Sequence, residues 1–102
     1  MFGVVNAYSS RKDQGRNNVV IAHEFLHTLG ATDKYDPATA MPLAPHGLAE
    51  PERSPLYPQS KAELMGGRIP VSRDSARVPP SLRQVIIGPL TAQEIRLANP
   101  AQ

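Results

Sequence analysis

The chain has 102 residues, enough for one domain at most, with a modest core. Its formal charge is +2 and its pI about 9.3, but it has no basic run, which argues against a nucleic-acid-binding role. Cysteine is absent, so there is no disulfide framework, thiolate nucleophile or cysteine metal ligand, and no apolar run approaches the length of a membrane span.

An apolar fraction of 40% with 20% charged residues fits a globular chain. Residues 2–8, with Phe2, Val4, Val5 and Tyr8, predict a strand. This start lacks the basic and apolar regions of a signal peptide. The polar stretch 9–16, containing Gly15, predicts a loop, and Asn17 or Asn18 offers an N-cap side chain. From Val19 to Leu29 the apolar positions Val19, Ala22, Leu26 and Leu29 follow helical spacing, and Gly30 closes the segment.

That helix carries His23-Glu24-Phe25-Leu26-His27-Thr28-Leu29-Gly30-Ala31-Thr32-Asp33, the pattern H-E-x-x-H-x-x-G-x-x-D. Histidines four residues apart project from one helical face and suit a single zinc ion. Glu24 lies beside them, placed to take a proton from a bound water. A turn at Gly30 brings Asp33 back as a third ligand and leaves a fourth position open for water. His46, the only other histidine, is the rival third ligand, in which case Asp33 instead holds a ligating imidazole.

All eleven prolines lie beyond residue 36, and six of them fall within 36–58, where no useful helix or strand is expected. Such a long connection reads as a functional or disordered loop. Ser60-Lys61-Ala62-Glu63 has capping-box spacing and predicts a short helical turn, ended by a sharp change of direction at Leu64-Met65-Gly66-Gly67. Residues 79–84 predict another short helical start. Thr91-Ala92-Gln93-Glu94 predicts a capping box opening a final helix to about Ala98, stopped by Pro100.

The run His23–Asp33, together with Glu63-Leu64-Met65-Gly66-Gly67, resembles the metzincin clan of zinc endopeptidases. The closing aspartate resembles its snapalysin branch of small secreted bacterial proteases. The resemblance covers about a sixth of the chain. It implies Zn2+ held by His23, His27 and Asp33, with Glu24 as general base and acid and Met65 as the hydrophobic support of a Met-turn. The implied reaction is hydrolysis of peptide or protein substrates by a metal-activated water. Clan members that use a tyrosine two residues after this methionine differ from this chain, which has Gly67 there; Tyr35, two residues beyond Asp33, and the more distant Tyr57 are the candidates to replace it. Snapalysin-like enzymes also carry cysteines, and this chain has none.

The implied fold is α+β and zincin-like, one domain over residues 1–102. Residues 1–30 would form a strand, a loop and the active-site helix. Residues 31–102 would form a loop-rich C-terminal subdomain with the Met-turn and a final helix. Only 22 residues precede His23, where the clan places a twisted sheet and a backing helix. The chain therefore also reads as the C-terminal part of a longer precursor, which the resemblance would place outside the cytoplasm. A gluzincin arrangement would need Glu50 or Glu52 on a helix, and Pro51 lies between them. A deformylase arrangement needs a cysteine ligand. The alternative of a different class is a non-catalytic zinc-binding remnant, in which the metal mainly organises a proline-rich chain.

Overall fold

The computed structural model describes residues 11–100. The strand expected at 2–8 lies outside them. The long helix α1 spans Arg11–Thr28. It starts well before the expected N-cap, so residues 11–16 are helical rather than loop, and Asn17 and Asn18 lie inside the helix. Packing explains this correction. A Cβ on Gly15 would lie 2.1 Å from the Pro80 carbonyl oxygen, so only glycine lets α1 approach the 79–84 segment so closely. That tertiary contact overrides the turn preference of the polar stretch.

Among the described side chains of α1, Val19 and Leu26 are buried, with Ala22 and Leu29 packed partly against the same core. Gly30 then takes φ +108°, and the Ala31 amide bonds back to the Leu26 carbonyl at 3.0 Å, closing the helix in the left-handed manner expected of a glycine. Over residues 36–58 the backbone forms turns, with an isolated bridge between Tyr35 and Pro42 and another from Leu48 to Ala62. Side chains hold this region in place. The buried Gln59 amide donates to the Glu50 and Leu56 carbonyls, both at 2.8 Å, and accepts the Glu50 amide at 2.7 Å.

The segment Ala62–Glu63 is strand β1, not the expected helical turn. The capping box fails because each partner is engaged elsewhere. Ser60 donates its amide and hydroxyl to Glu50, at 2.7 and 2.8 Å, while Glu63 is fully buried. The hairpin β2 (Ile69–Ser72) and β3 (Ser75–Arg77) follows, with an irregularity beside Pro70, which has no amide to donate. A 3₁₀ turn at Leu82–Gln84 fulfils the short helical start, its Ser81 hydroxyl accepting the Arg83 amide at 3.2 Å. Strand β4 (Val85–Ile86) then pairs in parallel with β1, Ala62 opposite Val85 and Glu63 opposite Ile86.

The final helix α2 runs Pro89–Ala98. Its N-cap is Gly88 rather than Thr91, and Pro89 starts it, as suits a residue with no amide hydrogen. Thr91 is fully buried, and Glu94 bonds to a distant loop, so the expected capping box does not form. Among the described residues the result is an α+β arrangement of two helices and two separate two-stranded sheets around a small core of Val19, Leu26, Ala31, Leu64 and Met65. No helix among the described residues is long and apolar enough to cross a membrane.

Candidate metal centre

Helix α1 places His23 and His27 one turn apart, and the Gly30 turn returns the chain so that Asp33 meets both. Asp33 Oδ1 lies 2.9 Å from His23 Nε2 and 2.8 Å from His27 Nε2, and the two Nε2 atoms are 3.1 Å apart. Each ring is held from its other side. His23 Nδ1 is 2.9 Å from the Leu64 carbonyl, and His27 Nδ1 is 2.9 Å from the Ala31 carbonyl. A carbonyl oxygen only accepts, so each Nδ1 carries the proton and each Nε2 presents a lone pair toward the common point.

Two imidazole lone pairs and a carboxylate oxygen thus crowd one another. Tetrahedral zinc, with bonds of about 2.0–2.1 Å, holds its ligand atoms about 3.3 Å apart, close to these separations. The donor set and its outer hydrogen bonds fit such an ion: neutral imidazoles fixed through Nδ1 by backbone carbonyls, plus a carboxylate. Glu24 sits within the same cluster, with a ligand atom of each of His23, Glu24 and His27 lying within 4.8 Å of the others.

Beside the cluster is an open groove of about 300 Å³. Val19, Val20, His23 and Glu24 of α1 line it together with Tyr35, Ala40 and the Gly66–Arg68 stretch. Tyr35 packs near the cluster, its ring centroid 6.4 Å from that of His23. His46 is exposed on the 44–47 turn and is not among the groove's lining residues, nor is Tyr57. A second hollow, of about 560 Å³, lies between the helices at Leu29, Ala92, Ile95, Arg96 and Asn99, without a cluster of titratable groups.

The loop bearing Asp33 is fixed by residues that the motif does not include. Lys34 is buried and donates to Glu94 at 2.6 Å and to the Thr32 carbonyl at 2.8 Å. Glu94 also accepts the Thr32 amide and hydroxyl, at 3.0 and 2.7 Å. Burial pushes the Glu94 carboxyl up, but the bonds from Lys34 and Thr32 and the Lys34 charge together hold it below its usual value.

The Leu64–Gly67 turn is fixed in a comparable way. Glu63 accepts the Met65 and Gly66 amides on one oxygen, at 2.8 and 3.0 Å, and the Gly88 amide on the other, at 2.8 Å. Met65 is fully buried in the core with Val19 and Leu26, and its carbonyl accepts the Lys34 amide at 2.8 Å. Gly66 has no room for a side chain, since a Cβ there would lie 2.2 Å from the Gly47 carbonyl oxygen. Sequence reasoning missed the anchoring roles of Glu63, Lys34 and Glu94. Both glutamates stand at capping-box spacing, and the role of Lys34 shows only in its burial against Glu94 and Thr32.

No protein-family model, curated protein or solved structure matches this chain.

Proposed function

We propose that this chain is a zinc-dependent endopeptidase of the metzincin kind. The observation that carries the reading is the convergence of His23 Nε2, His27 Nε2 and Asp33 Oδ1 within 3.1 Å of one another, beside Glu24 and an open groove. His23, His27 and Asp33 would hold the zinc. When bound, zinc supplies a Lewis acid that polarises the scissile carbonyl and acidifies water.

The chain's own residues supply the rest. The Glu24 carboxylate takes a proton from the attacking water and returns it to the leaving amine. The carbonyls of Leu64 and Ala31 keep the imidazoles oriented through Nδ1. Met65 packs behind the site as support. Tyr35, which lines the groove, would donate its hydroxyl to the developing oxyanion.

The test combines metal analysis with turnover. The purified protein should bind one zinc per chain and cleave a mixed peptide library in a chelator-sensitive way. Glu24→Gln should keep its zinc and lose cleavage; undiminished cleavage would refute the mechanism. Stoichiometric zinc with no cleavage by the unsubstituted chain would favour the non-catalytic metal site instead.

A further inference from the structure

Arg68 is exposed, follows the Gly66-Gly67 pair and lines the same groove as His23 and Glu24. Among the described residues no carboxylate pairs with it, whereas Lys34 has Glu94 at 2.6 Å and Arg53 has Glu50 at 3.1 Å. A divalent ion at the cluster outweighs Asp33 by one charge, and Glu24 cancels that charge. Arg68 is then the uncompensated cation of the groove.

The surroundings give it access to a bound chain. Gly66 and Gly67 place no side chain between Arg68 and the groove, and the Tyr35 ring lies 3.9 Å from where a Gly67 Cβ would be. Beyond Arg68 the β2–β3 hairpin continues the same sign. Arg73 and Arg77 are exposed, Arg77 stands opposite Ile69 in the register, and Asp74 is the hairpin's sole acid. A guanidinium in this setting recognises a planar carboxylate.

We infer that Arg68 is a specificity-determining residue that binds a substrate carboxylate close to the scissile bond, so that the groove prefers peptides that carry a carboxylate there. This rests on the peptidase reading above. The carboxylate is either an Asp or Glu side chain or a free peptide C-terminus, and the two are told apart by experiment.

The test uses two pairs of otherwise identical peptides on the zinc-loaded protein. One pair carries Asp or Asn at one position in an amidated peptide; the other ends in a free acid or an amide and has no acidic side chain. The read-out is the acid-to-neutral ratio of kcat/KM within each protein variant, so differences in active fraction cancel. For one pair the ratio should be about tenfold in the unsubstituted chain, the size expected of a charged hydrogen bond at an exposed site. It should fall to about one in Arg68→Gln and weaken with added salt. The pair that shows the effect identifies the source of the carboxylate. A ratio of one in the unsubstituted chain, or a tenfold ratio that persists in Arg68→Gln, overturns the inference while leaving the peptidase reading intact. The same ratio is measured as Kd on zinc-loaded Glu24→Gln, which needs no turnover. There, tenfold tighter binding of the acidic peptide that is lost on adding Arg68→Gln supports the Arg68 site even if no peptide is cleaved. Equal binding, or no binding, overturns it.

Discussion

Replacing Glu94 by Gln tests whether the Lys34–Glu94 pair holds the loop that carries Asp33. The substitution keeps the size of the side chain and removes its charge. Lys34, with a side chain only 5% exposed, would then lack its ion partner, and Glu94 is itself 21% exposed. Breaking a buried pair by removing one partner costs about 3–5 kcal/mol, and the partial exposure of Glu94 places this case near about 3. With a urea slope of about 1.5 kcal/mol/M for a chain of this size, the unfolding midpoint should drop by about 2 M. Lys34→Met combined with Glu94→Gln should cost less than the sum of the single changes, since the double variant leaves no unpaired charge. The pH dependence has a fixed sign. Glu94 is lowered from its usual 4.5 in the folded state, so its contribution is present above 4.5 and is lost as pH falls through the lower folded value. The two stability curves should therefore converge in acid. A midpoint shift below about 0.3 M, or strict additivity in the double variant, would refute the reasoning.

Three further predictions follow from buried polar groups and the third ligand. Glu63→Gln turns an NH₂ group toward a backbone amide that now donates to Glu63, and should cost about 2–3 kcal/mol in chemical denaturation. Thr91 is fully buried and its hydroxyl has no hydrogen-bond partner among the described residues, so Thr91→Val should leave the protein unchanged or stabilise it by about 1 kcal/mol; a clear loss would show that the hydroxyl is satisfied in solution. Asp33→Ala should weaken zinc binding by a large factor and His46→Ala should not, as measured by competition with a chromogenic chelator. The reverse result would assign the third ligand to His46.

The geometry of the candidate site was more legible in the sequence than the fold. H-E-x-x-H-x-x-G-x-x-D encodes its geometry locally: four residues of helix, a glycine at positive φ, then a short return. Each step depends only on neighbouring residues, and the Gly30 turn and the Asp33 contacts follow it. The errors arose where a local signal competed with a distant partner. Gly15 reads as a loop breaker, yet it is where Pro80 packs on α1. Glu63 and Glu94 both stand three residues after a Ser or Thr, and both carboxylates turn away to bond segments 25 or more residues distant. Capping-box spacing cannot reveal this, because it describes which bonds are possible and not which are more deeply buried.

The two sequence blocks behind the family resemblance are physically joined, and this bears on how metal and fold are coupled. The Leu64 carbonyl orients His23, and the Met65 carbonyl accepts the Lys34 amide next to Asp33. Both carbonyls belong to the turn that the buried Glu63 carboxylate holds. The imidazole orientations are therefore held by backbone carbonyls that core packing and the Glu63 carboxylate fix in place. A small metal-dependent domain of the zinc-finger type behaves differently, since its ligands are organised only when metal binds. Zinc should stabilise this chain by ordinary linkage, by about 2.7 kcal/mol at one hundred times Kd, and chelation should lower the melting temperature while leaving the folded circular dichroism spectrum at 25 °C. Collapse of that spectrum on adding chelator would mean that the metal, rather than the Glu63 and Lys34–Glu94 anchors, organises residues 29–67. It would shift the balance toward a structural role for the ion.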